Sequence, residues 1–198
     1  GQVGFFVMLS ILIFQILDTQ RIKSLITIFI LIPGIFFAAY QISDLFHERI
    51  DLAVTNVISY EDNQWSGVGQ RIYFAVNSWE VIRKNPIIGI GTGDFPSEYK
   101  KINQINTPSL PNSSNPHNMY ILVLCQLGFV GLTSMLSIFY YQIKLSYNSS
   151  NKFFKDVGIT LPLMFLVMML SDSYLLGHYT TLMFVFFSSF LYKDFEKN

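Results

Sequence analysis

Residues 119–140, MYILVLCQLGFVGLTSMLSIFY, form an unbroken run without a single charged side chain. A helix crosses the hydrocarbon core of a bilayer with about 20 mostly apolar residues, so this stretch by itself predicts a membrane span. Four further runs read the same way: Gly1–Leu17, Ser24–Tyr40, Val157–Ser171, and Ser173–Tyr192, the last interrupted only by His178. The Val157 run is short unless it begins at Phe153 and lets Lys155 snorkel. Pro33 and Pro162 fall inside spans, where neighbouring helices satisfy the freed backbone groups. The expected fold is an all-α integral membrane protein, a polytopic helix bundle with a large extracytoplasmic loop containing short helices.

Composition supports that class. Only 13% of the 198 residues are charged, against roughly 25% in soluble domains. Thirteen basic and thirteen acidic residues cancel, so there is no global positive field to attract nucleic acid. A single cysteine, Cys125, excludes an internal disulfide framework and a cysteine-cluster metal site. Three histidines, at positions 47, 117 and 178, offer little for zinc. No carboxylate pair is spaced like a DxD metal site, and neither metal nor cofactor is expected. The first run lacks an initiator Met and a basic n-region, so it does not read as a signal peptide. The expectation is the C-terminal part of a longer protein.

Loop charges set an orientation. Arg21 and Lys23, then Lys144, Lys152 and Lys155, then Lys193 and Lys197 lie in connections that alternate across five spans, and the positive-inside rule makes these connections cytoplasmic. The sequence therefore divides into residues 1–40 (two transmembrane helices), 41–118 (an extracytoplasmic loop), 119–192 (three transmembrane helices) and 193–198 (a cytoplasmic tail). The tight turn near Asp172 falls on the same outer side as the loop.

The loop carries the chemistry. It holds 14 of the 26 charges, five of the seven prolines and both tryptophans. Gln70–Lys84 reads as an amphipathic helix, with Arg71, Phe74, Ala75, Ser78, Trp79 and Ile82 recurring on one face, stopped by Asn85-Pro86. The glycine-dense run Gly89-Ile90-Gly91-Thr92-Gly93-Asp94-Phe95 follows. It reads either as a structural turn or as a cradle of backbone N–H groups for phosphate; it lacks the Lys-Ser/Thr of a P-loop. Asn103–Pro116 reads as loop, and His117-Asn118 stands at the mouth of the third span. Arg71 is either a solvated helix residue or, beside aromatics, a buried or ligand-binding one. His117 is either an interfacial histidine with a satisfied hydrogen bond or a functional one. His47 and His178 read as ordinary interface residues, and Cys125 as a small packing residue.

In order, Arg71 on a helix, Asn85-Pro86-Ile87-Ile88-Gly89-Ile90-Gly91-Thr92-Gly93-Asp94-Phe95, Pro116-His117-Asn118-Met119-Tyr120 and Leu127-Gly128-Phe129-Val130-Gly131-Leu132 resemble the O-antigen ligase and polymerase superfamily. These are polytopic bacterial glycosyltransferases acting on lipid-linked glycans. The resemblance runs from about Gly69 to Leu132. It implies that Arg71 and His117 are the functional residues; the expected substrate-binding positions are Arg71, Asn118, Gly91 and Gly93. The family's further basic residue, just upstream of a segment resembling Gly1-Gln2-Val3-Gly4-Phe5-Phe6, would here precede Gly1.

The implied chemistry suits these residue types. The donor would be an oligosaccharide on a polyprenyl diphosphate, and the acceptor a glycan or glycolipid at the outer face of the bacterial inner membrane. An Arg fork binds a diphosphate bidentately, and an imidazole, with an ordinary pKa of about 6.5, accepts a hydroxyl proton near neutrality. Attack in line would invert the anomeric carbon. Repeat-unit polymerase is favoured, because the loop motifs are widespread in capsule and O-unit polymerases. The alternatives are a ligase to lipid A core, a transporter, or a non-catalytic assembly subunit. A transporter calls for ionisable residues inside spans, and the five runs hold only His178.

Overall fold

The computed structural model describes residues 2–17 and 20–192, and every regular element among them is a helix. The chain forms two compact units, the first ending at Gly69 and the second beginning at Gln70. The segment 41–118 is thus shared between them.

The first unit contains α1 (Gln2–Ile16), α2 (Arg21–Ile42) and α3 (Asp44–Ile58). α1 packs on α2, with the Phe6 and Phe36 rings 6.0 Å apart. Pro33 lies inside α2, which is long and apolar enough over Ile22–Ile42 to cross a membrane. Ser43 ends α2 and caps α3, its hydroxyl accepting from the Phe46 N–H at 3.3 Å. The new helix leans on the old one through Phe36 and Phe46, 5.4 Å apart, and buries none of its own residues.

α4 (Gly67–Lys84) begins at the boundary, and α5 (Phe95–Asn106), α6 (Met119–Tyr147), α7 (Lys152–Met168) and α8 (His178–Leu191) complete the second unit. α4 realises the helix expected over Gln70–Lys84, with a different inner face. Phe74, Asn77, Ser78, Val81 and Ile82 are buried, whereas Trp79 is 56% exposed. The reason is polar. Asn77 turns inward and donates from Nδ2 to Thr107 Oγ1 at 2.8 Å and to Asn103 Oδ1 at 3.3 Å. Its amide reaches the Tyr99 hydroxyl too, and burial pushes that phenol above its ordinary pKa. A satisfied network of this kind locks α4 to α5 in one rotation. Phe95, Tyr99 and Ile102 close the core against Phe74, Val81, Ile82, Leu122 and Cys125. At the rim Lys101 and Lys84 both bond Glu98, which holds its carboxyl below the usual range. Asn103–Asn106 therefore ends α5 as helix, and only the residues from Thr107 onward are loop.

The 119–140 run departs most from its sequence reading, because α6 is not one continuous helix. At Gly128 the backbone takes φ 62° and ψ −160°, a region open essentially to glycine alone. A break strands carbonyls above it and N–H groups below it, and in hydrocarbon each unpaired group costs several kcal/mol. The Pro86–Gly91 turn meets four of them. Ile90 and Gly91 donate to the carbonyls of Cys125 and Gln126 at 2.9 and 3.0 Å, while Phe129 and Val130 donate to those of Pro86 and Ile87 at 2.9 and 3.1 Å. About 13 Å of helix separates this junction from the start of α6.

α7 and α8 pack beside the far half of α6 around Met135, Phe139, Leu161, Phe165 and Leu191. α7 carries Pro162 and starts at Lys152, capped by the Asn151 side chain. The last span was expected from Ser173, but α8 begins at His178. Residues Ser173–Leu176 are held out of it because Ser173 bonds Asp172 and Asn115 rather than a helical turn. Among the described residues, α2 and α6 are the helices long and apolar enough to span a bilayer; α1 and α8 are shorter apolar helices.

Candidate functional site

The start of α6 is anchored to the end of α7. The Met119 N–H donates to the Met169 carbonyl at 2.9 Å, and the Tyr120 hydroxyl to the Leu166 carbonyl at 2.6 Å. Asn118 is the N-cap, accepting from the Ile121 N–H at 3.1 Å and donating to the Leu170 carbonyl at 3.0 Å. Both ends of its amide are engaged in holding α6.

His117 sits immediately before that cap. Its φ is +53°, which among the described residues no other non-glycine residue shares in sign. A left-handed backbone at a residue with a side chain is disfavoured by about 1–3 kcal/mol unless its surroundings enforce it. Here Asn115 enforces it: its Oδ1 accepts the His117 N–H at 2.9 Å. The ring is fixed on two sides. It stacks on Phe74 of α4, with centroids 5.8 Å apart, and Nδ1 lies 3.2 Å from Asp172 Oδ1 in the α7–α8 turn. An ionised carboxylate only accepts, so this contact assigns the proton to Nδ1 and leaves the Nε2 lone pair as the basic site. Asp172 Oδ1 in turn accepts from the Ser173 N–H at 2.8 Å.

Arg71 stands one helical turn before Phe74, exposed on the surface of α4. Residues three apart share a helix face, so Arg71 and the ring that stacks on His117 belong to one side of α4. Both sequence candidates lie in the second unit, Arg71 one helical turn from the ring on which His117 stacks. Gly91 and Gly93, at φ +110° and +89°, lie in the turn clasped to Gly128, and the Gly91 N–H is given to Gln126. Beginning beside the site at Met119 and Leu175, an open apolar groove of about 480 Å³ runs along α6 past Val123, Leu127, Met135 and Ile138. His47 belongs to the first unit, stacked on Tyr40 and paired with Asp51 at 3.0 Å. His178 is exposed at the start of α8. Cys125 is fully buried.

Asp172, Asn115 and Phe74 are the partners that sequence reasoning did not assign to the site. Asp172 carried a usable signal: it is the lone charge separating two long apolar runs. Asn115 carried none, lying among asparagines and serines.

A family model for O-antigen ligase matches residues 1–136. The chain belongs to the O-antigen ligase family. No curated protein matches it. The O-antigen ligase family consists of membrane enzymes, in keeping with the two spanning-length helices and the low charge. The match covers Arg71, the glycine turn, His117 and the Gly128 break, and it ends before Asp172.

The His117–Asp172 pair makes a direct prediction. Asp172→Asn removes the carboxylate that accepts from the His117 ring at Nδ1. If the His117 ring acts as a base, activity should fall by about 10²-fold or more, by analogy with the orienting carboxylate of a catalytic triad. Comparison of turnover and melting temperature in the purified protein checks this. A variant that is equally stable and fully active would refute the assignment.

Proposed function

We propose that this protein is a glycosyltransferase at the outer face of the bacterial cytoplasmic membrane. It uses a polyprenyl-diphosphate-linked oligosaccharide as donor and a second glycan as acceptor. The observation that carries the reading is the His117 ring, partly exposed and held by Asp172 through Nδ1, two residues before Met119 in the wall of an apolar groove. His117 Nε2 takes the proton of the acceptor hydroxyl as its oxygen attacks the anomeric carbon. The bond from that carbon to the diphosphate breaks with inversion, and the polyprenyl diphosphate leaves with the electron pair. Asp172 stabilises the imidazolium that forms. Arg71 holds the diphosphate and the charge developing on it. The prenyl chain lies in the groove along α6, which explains a site at the membrane surface. Asn118 and the Pro86–Gly91 turn serve as the frame that fixes both halves of α6 around it.

The acceptor favoured here is another repeat-unit glycan, making the protein a polymerase, because the loop motifs are widespread in such enzymes. The alternative acceptor is lipid A core, which would make the protein a ligase. Supplying purified protein with labelled donor and each acceptor in turn separates the two readings.

Arg71 provides the test of donor recognition. Arg71→Ala should abolish transfer and weaken binding of the polyprenyl-diphosphate donor. Arg71→Lys should recover only part of each, since an ammonium lacks the planar fork. Full product from Arg71→Ala at normal protein level would remove Arg71 from the mechanism.

A further inference from the structure

We propose that Asn115 is a positioning residue: its side chain holds the His117 backbone in the left-handed conformation and ties it to the Asp172–Ser173 turn. The inference rests on His117 being the base and adds the device that aims it. A single oxygen, Asn115 Oδ1, accepts from the His117 N–H at 2.9 Å and from Ser173 Oγ at 2.7 Å. The amide nitrogen of the same side chain donates to Asp172 Oδ1 at 3.4 Å. One residue thus contacts the base, the carboxylate that orients the base, and the hydroxyl that follows the carboxylate. An asparagine two residues before the N–H it binds is a common local turn. Here that turn also reaches across to residues 57 and 58 positions away.

The consequence is geometric. The φ of +53° at His117 turns its side chain toward Phe74 and Asp172. Without the Asn115 oxygen the backbone relaxes toward negative φ, where a residue with a Cβ is at ease, and the ring loses its aim. Misplacing a catalytic group by about 1 Å costs as much as 10²-fold in rate. The groove and Arg71 are untouched, so donor binding stays. The charged group in contact with the ring is Asp172 from the α7–α8 turn, and the nearest charge on the helix of Phe74 is Arg71, one turn earlier in sequence. The first half of α6 brings none.

The test uses full-length protein in lipid nanodiscs with a polyprenyl-diphosphate oligosaccharide, comparing Asn115→Ala, Asn115→Asp and Ser173→Ala with wild type. Asn115→Ala should lower kcat about 10- to 100-fold, with the donor KM within about twofold. Asn115→Asp keeps the oxygen acceptor for the His117 N–H, but loses the amide donor to Asp172 and adds a negative charge beside that carboxylate and the ring. It should recover part of kcat and move the acid limb of the pH profile up by about one unit. Ser173→Ala leaves the His117 N–H bond intact and should lose less than Asn115→Ala. If all three variants fall together with melting temperature, and the pH profile stays fixed, Asn115 is only structural and the proposal is overturned. Should Asn115→Ala not fold, the shift or constancy of the pH profile in Asn115→Asp decides. Wild-type transfer by His117→Ala sinks the base assignment itself. Loss of transfer in His117→Ala beside wild-type kinetics in Asn115→Ala sinks only the role of Asn115.

Discussion

His117→Ala should lower glycan transfer by about 10²–10⁴-fold, the contribution typical of a positioned general base, while donor binding persists. The expectation rests on the division of labour in the site. In the proposed mechanism the imidazole offers a basic lone pair at Nε2, whereas Arg71 holds the diphosphate and the groove along α6 the prenyl chain. Removing the ring leaves Phe74 without its stacking partner and Asp172 without its ring contact. Asp172 nevertheless keeps the Ser173 N–H at 2.8 Å and the Asn115 amide at 3.4 Å. The fold should therefore survive. Purified variant and wild type are compared for melting temperature, donor binding and transfer rate. A stable His117→Ala protein that transfers normally would reject the role. The matched control is His178→Ala, at an exposed position opening α8, which should keep most of its activity.

Gly128→Ala should fail for a different reason and more completely. A Cβ there would lie 2.3 Å from the Ile87 carbonyl oxygen and 2.4 Å from its carbon. Both are backbone atoms that no side-chain rotation moves. The φ of +62° adds strain of about 1–3 kcal/mol. With four junction hydrogen bonds displaced, the loss should reach about 4 kcal/mol or more, the range of exceptional substitutions. The membrane-inserted protein should then accumulate poorly and melt early. Gly89→Ala should behave alike, since its Cβ would lie 2.3 Å from the Gln126 carbon at φ +73°. Gly34→Ala is the contrast, a helical glycine with nothing within 4 Å of a Cβ. It should be neutral or stabilising by up to about 1 kcal/mol. Normal accumulation and melting of Gly128→Ala would show that the turn and the break are not coupled.

What the sequence conveyed was whatever apolar periodicity and charge can carry. The long apolar helices, the helix over Gln70–Lys84 and its stop at Asn85-Pro86 were all legible. So were Arg71 and His117 as candidates, through motifs in a fixed order. Three things were not. The inner face of α4 was misjudged at Trp79, because a buried asparagine network sets its rotation and asparagine does not register as apolar. The break in α6 was invisible: Gly128 looks like a tolerated glycine in an apolar run until its partner turn, some forty residues earlier, is seen to dock there. The site's inner partners were hidden because Asn115 and Asp172 act over more than fifty positions of chain. No local window joins them.

The clasp between the Pro86–Gly91 turn and the Gly128 break also limits how the family can be recombined. Two segments that supply each other's missing hydrogen bonds form one heritable module, although they are written apart. A chimera whose crossover lies between Gly91 and Gly128 would pair a turn from one parent with a break from the other. Four backbone bonds and two mutually excluding glycine sites would then have to match by chance. Crossovers before Asn85 or after Val130 keep the module whole and leave intact the helix that carries His117 at its head.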